Sequence, residues 1–155
     1  MGELKKYYFL SIWLIFPAFL ISQNLNPRFE RLPLGGDNGL SQATVRAMLQ
    51  DTMGFMWFGT ADGLNRYDGK SFTVFRHQPD VPYVLSSNDV QVLYEDIRGD
   101  LWIGTDYGLN RFDRVHNDFK HYLHQADASG SISDNYVGEI ISDAKGRMWI
   151  GVGDG

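Results

Sequence analysis

"MWFGTADGLNRYDG" occupies residues 56–69, and the chain writes it again as "LWIGTDYGLNRFDR" at residues 101–114. A third version, "MWIGVGDG", stands at residues 148–155. Trp57, Trp102 and Trp149 lie 45 and then 47 residues apart. Asp51, Asp96 and Asp143 keep the same steps, as do Gly54, Gly99 and Gly146, Gly59, Gly104 and Gly151, and Val45, Val90 and Val137. So many matched positions with a slip of only two residues mark an internal repeat, and periods of this size mean a stack or ring of supersecondary units. The slip is expected in a loop, with "HQADASGS" at residues 124–131 as its place.

Within one unit the local signals are those of strands. "TVRAMLQ", "FMWFGT", "LNRYD" and "SFTVFRH" are short, rich in Val, Phe, Tyr, Trp and Thr, and separated by turn residues. The first connection reads Asp-x-x-Gly in all three copies. An Asp opens such a turn by accepting backbone N–H bonds, and the Gly takes the positive φ. The second turn is "TADG", "TDYG" and "VGDG", and the third begins at Asp68 and Asp113. Four strands joined by three tight hairpins give one antiparallel sheet per unit.

The apolar pattern says how the sheets pack. Val45, Met48 and Leu49 correspond to Val90, Leu93 and Tyr94 and to Val137, Ile140 and Ile141. The first, fourth and fifth positions of a strand cannot share one face, because side chains alternate. Both faces are therefore covered, as they are between neighbouring sheets. Gly59, Gly104 and Gly151 mark a point of close backbone approach. Face-to-face four-stranded sheets repeating at this period describe an all-β fold, a β-propeller. The units are residues 40–84, 85–131 and a truncated 132–155, about two and a half blades, after a lead-in at 23–39.

The N-terminus reads as an address. "MGELKK" carries two lysines, and "YYFLSIWLIFPAFLI" follows without a charge. Fifteen uncharged residues are short for a bilayer span, which needs about 20, and match the apolar core of a secretory signal. Residues 1–22 are expected to be a signal peptide, with an N-terminal anchor as the alternative. The formal charge is −5, no cysteine is present, and no basic block lies outside the extreme N-terminus. A disulfide framework and a thiolate metal site are excluded, and nucleic-acid binding is disfavoured.

No catalytic residue, metal ligand or cofactor is assigned. The four histidines read as surface residues, and the Asp turns lack the alternating oxygens of a calcium loop. Arg66 and Arg111 recur, which favours a structural role, with Asp68 and Asp113 or backbone carbonyls as the expected partners. The non-repeating loop residues are the better recognition candidates: Asp62, Asp106 and Tyr107 between the second and third strands, and His77 and Tyr83 between units. Tyr and Asp suit stacking on and hydrogen-bonding to a sugar.

"GLSQATVRAMLQDTMGFMWFGTADGLNRYDG", residues 39–69, resembles the two-component regulator propeller repeat, V…D-x-x-G-x-x-W-x-G-T-x-x-G-L-x-R-Y/F-D. The second unit repeats the signature nearly throughout, and the third has Val152 in place of its Thr. The resemblance implies an exported sensor region of a hybrid two-component histidine kinase, at the periplasmic face of the inner membrane, and a chain that is the N-terminal piece of a longer sensor without its kinase domain. It also implies an oligosaccharide ligand. The implied partners are the remainder of the sensor chain and a second copy, with membrane contact only through the N-terminal segment or the missing part. An exported propeller enzyme, lyase or glycosidase, and a structural interaction platform are the alternatives.

Overall fold

The computed structural model describes residues 29–36 and 38–153. The leader expected over residues 1–22 lies outside them, as does the start of the lead-in. Ten strands follow in order: β1 (Val45–Gln50), β2 (Met56–Thr60), β3 (Gly63–Tyr67), β4 (Phe72–Phe75), β5 (Val90–Glu95), β6 (Leu101–Thr105), β7 (Gly108–Asp113), β8 (Asp118–Tyr122), β9 (Val137–Ser142) and β10 (Met148–Val152). They form two four-stranded antiparallel meanders, β1-β2-β3-β4 and β5-β6-β7-β8, and a two-stranded sheet of β9 and β10. No helix occurs among the described residues. This is the blade architecture of a propeller, as the sequence pattern requires.

The same bulge recurs at one repeat position in all three sheets. It falls between Val45 and Ala47, between Val90 and Val92, and opposite Gly151 and Val152 on the strand that holds Val137. A bulge bends and twists its strand, so each first strand enters its sheet with the same distortion. First strands lie side by side, β1 against β5 and β5 against β9.

Packing between sheets supplies the core. Trp57 and Leu64 of the first sheet meet Leu93, Ile103, Phe112 and Phe119 of the second. Trp102 and Leu109 of the second meet Val137 and Ile140 of the third. Trp57 stacks on Phe75, and the other contacting pairs among Trp57, Phe75, Phe112 and Phe119 meet edge to face or tilted, with centroids 5.2–6.0 Å apart, within the favourable range for aromatic pairs. Gly59 and Gly104 let the sheets come this close. A Cβ on Gly59 would stand 2.5 Å from Val90 Cγ1, and one on Gly104 would stand 2.7 Å from the Val137 carbonyl oxygen.

The blade faces are directional. Trp57 and Trp102 point toward the following sheet, and Leu93 and Ile140, in the Met48 position of their repeats, point toward the preceding one. Trp57 is 0% exposed and Trp102 7%, but Trp149 is 54% exposed. Leu93 and Ile140 are buried, whereas Met48 is 67% exposed. Leu32 of the lead-in and Leu40, which opens the first unit, pack with Phe58 and Phe72 and cover part of the first sheet.

The two-residue slip does not sit at residues 124–131. Tyr67 pairs with Phe72 across a four-residue turn, while the equivalent pair Phe112 and Phe119 spans six. The loops that connect sheets have equal length, and each is pinned at the same points. The His77 N–H donates to Asn88 Oδ1 and its Nδ1 meets the Leu85 carbonyl, and His124 repeats this with Asn135 and Ile132. A hairpin tip in solvent absorbs two residues; a loop anchored at both ends between packed sheets does not.

These faces give a ranked expectation for stability. Trp57→Ala should cost on the order of 3–5 kcal/mol through the cavity it leaves, whereas Trp149→Ala should cost well under half as much. Urea unfolding of the two variants beside the parent chain checks the ranking.

Candidate functional site

Polar clamps hold the repeats before any ligand is considered, an Asp–indole clamp in all three and a second clamp in the first two. In the first, Asp51 Oδ1 accepts the N–H groups of Met53 and Phe55, and Oδ2 accepts the Trp57 indole N–H at 2.8 Å. Asp96 does the same for Arg98, Asp100 and Trp102, and Asp143 for Lys145, Arg147 and Trp149. The repeat keeps Asp and Trp six residues apart because one carboxylate both builds the turn and orients the indole. Gly54, Gly99 and Gly146 complete these turns with positive φ.

The second clamp is a buried Ser–Thr–Asn group that the sequence reading missed. Asn65 Oδ1 accepts the Ser41 N–H, its Nδ2 donates to Ser41 Oγ, and Ser41 and Thr60 hydroxyls meet at 3.1 Å. Ser86, Thr105 and Asn110 repeat the arrangement. Partners 19 and 24 residues apart leave no local signature, although the recurrence of Ser, Thr and Asn at fixed repeat positions was there to be read.

The recurrent arginines do not bind the expected carboxylates. The Arg66 guanidinium lies over the rings of Phe55, Trp57 and Phe75 and donates to Asn117 of the next sheet. Arg111 faces Asp100 at 3.5 Å. Asp68 and Asp113 instead turn into their own hairpins. Asp68 takes the N–H groups of Lys70 and Ser71, and Asp113 takes those of Val115 and His116 together with the His116 ring. The His116 ring and these N–H groups hold the Asp113 carboxyl down to about 2. A further cation, Arg114, joins the first two sheets by pairing with Asp51 and Glu95.

The five recognition candidates fall in different places. Asp62 is paired with Arg76 at 2.9 Å. His77 is engaged in its loop as described. Asp106 is exposed beside Tyr107, with its N–H on the Asp89 carbonyl, and Asp89 pairs with Arg46 of the first strand. Only Tyr83 lines the cleft of roughly 910 Å³ on the flank of the second sheet, with Asp80, Arg111, Asp113, Asp118 and Lys120 among its walls. The other four candidates do not contribute to it. Tyr83 is 67% exposed.

The class of protein is thus defined by its fold: propeller blades with polar connecting loops. Residues 39–62 and 84–107 match the two-component regulator propeller family. Over 43 residues, 28% of its length, the chain is 46% identical to histidine kinase P4 of Formosa agariphila. Among solved structures it is similar to the extracellular domain of BT3049 from B. thetaiotaomicron, described as a hybrid two-component system, with 28% identity over 78% of this chain and a TM-score of 0.69. It is also similar to the extracellular domain of BT4673 from the same organism, with 33% identity over 68% of this chain and a TM-score of 0.57. The chain spans 3% of the kinase and 17% and 15% of the two solved chains.

The Asp clamps predict an acid transition. Burial raises the Asp51 and Asp96 carboxyls, but the indole, backbone and arginine contacts outweigh it and leave both below the ordinary carboxylate value. Groups depressed by folding stabilise the fold above the unfolded value, about 4, and that contribution is lost as pH falls through the folded value. The melting temperature should hold steady from pH 7 to about 5 and drop below about 4. The double variant Asp51→Asn/Asp96→Asn should melt lower at pH 7 and show a smaller acid drop.

Proposed function

We propose that this chain contributes blades to the extracytoplasmic sensor of a two-component regulator and that the sensor responds to a glycan-derived ligand. The observation that carries this reading is the register-matched repeat, similar in sequence and fold to extracellular domains of hybrid two-component systems. The charged N-terminus and its uncharged run support export, to the periplasmic face of the inner membrane. Glycan recognition is supported by polar loops that offer Asp and Tyr side chains on a frame of packed sheets. The remainder of a sensor chain, or a second copy, is the structural partner that would receive the signal.

The blades themselves contain turn-building and sheet-locking carboxylates, and the Asp side chains at the repeat positions are committed to backbone and indole donors. They serve as scaffold, so the chain acts by binding. Two measurements test this. Purified chain incubated with ATP should transfer no phosphoryl group to itself, since its sheets hold no helical phosphoacceptor segment among the described residues. Deleting the coding segment from the chromosome should abolish transcriptional induction by one class of oligosaccharide. Unchanged induction by every oligosaccharide tested would contradict the sensing reading.

A further inference from the structure

On the reading that the chain senses glycans, we propose that Tyr83 and the cleft beneath it bind an uncharged oligosaccharide. The observation that singles out this place is backbone conformation. Asp80 and Tyr83 have φ of 61° and 62°, in the left-handed region. That region costs an ordinary L-residue about 1–2 kcal/mol and costs glycine almost nothing.

The connecting loop after the second sheet offers an internal control. It has the same length, the same histidine anchor, and the same turn bond, Ala128 N–H to the Gln125 carbonyl matching Val81 N–H to the Gln78 carbonyl. Asp127 and Gly130 stand where the first loop has Asp80 and Tyr83, and neither has a positive φ. The strained tip belongs to the first loop alone.

Edge protection explains the backbone and leaves the side chain unexplained. Segment 83–84 runs along the free edge of β8, where the Tyr83 carbonyl accepts the Phe119 N–H at 2.8 Å and the Val84 carbonyl meets the His121 ring. Covering an edge in this way guards against unwanted strand pairing, but it uses only main-chain oxygens. Glycine would do this without strain. Tyrosine instead extends a largely exposed ring beside a cleft, and strain kept at such a point is the mark of a working residue.

The chemistry of the cleft selects the ligand class. Asp80 and Asp118 offer acceptors, Arg111 and Lys120 offer donors, and Asp113 is already held by His116. An anionic ligand would face the carboxylates and a cationic one the guanidinium and ammonium groups. Sugar hydroxyls donate and accept, so both signs serve them, and a pyranose face stacks on the Tyr83 ring. The cleft volume of roughly 910 Å³ is ample for two or three sugar rings, within the range of small-ligand sites.

Calorimetric titration of the full chain with cellotriose, maltotriose, xylotriose and mannotriose, and with trigalacturonate as the acidic control, tests this directly. At least one neutral trisaccharide should bind. Tyr83→Gly should weaken that binding about tenfold or more while leaving the melting temperature unchanged or higher, and Lys120→Ala should weaken it without altering the melt. Binding undiminished by Tyr83→Gly would remove the ligand from this cleft while leaving glycan sensing intact, as would binding of trigalacturonate alone. A Tyr83→Gly chain that melts lower would make the tyrosine structural and overturn the assignment, and so would failure of every neutral trisaccharide to bind.

Discussion

One carboxylate in each repeat carries an unusual share of the structure. Asp51 closes the hairpin that joins the first two strands and, with its other oxygen, fixes the indole of Trp57. The indole is the largest group in the contact between neighbouring sheets, so its rotamer decides how one blade meets the next. Without the carboxylate, the buried indole N–H would lack a partner, and an unpaired buried donor is costly. Turn and indole orientation are thus one constraint expressed three times, at Asp51, Asp96 and Asp143, and at Asp51 and Asp96 it extends to blade stacking.

That constraint explains which parts of the molecule could be read from sequence. The strands, their turns and the burial of Trp57 and Trp102 follow from local patterns that repeat in register. The Asp–Trp bond was visible only as a constant spacing of six. The Ser–Thr–Asn clamp and the stacking of Arg66 on Phe55, Trp57 and Phe75 join residues that meet only after folding. Sequence points to residues 124–131 for the two-residue slip because they look loop-like, with Ala, Ser and Gly, whereas the anchoring of His124 that forbids length change there is a tertiary contact. Of the recognition candidates, sequence could offer five residues in non-repeating loops. It could not say that Asp62 is tied to Arg76 or that Tyr83 alone stands over a cleft, since backbone φ at residues 80 and 83 leaves no compositional trace.

The frame and the loop tip divide the work. Packed sheets with satisfied polar groups fix the connecting segments at their ends, through Ser86, Asn88 and His77 in the first loop. A loop held that firmly can sustain two residues in a costly conformation at its tip. The end faces of the described blades are a different matter: Met48 and Trp149 present to solvent the same chemistry that Leu93 and Trp57 bury. Blade stacking is directional, and the exposed ends carry the complementary halves of the contact made inside.

The claim that clamped tryptophans join successive blades is tested most directly by indole hydrogen exchange, followed by ¹⁵N–¹H correlation spectra in D₂O. The account predicts slow exchange at the Nε1–H of Trp57 and Trp102, with Trp57 the slower, and fast exchange at Trp149. Equal exchange at these three repeat indoles would contradict it, because they would then share one environment and none would lie sealed between sheets.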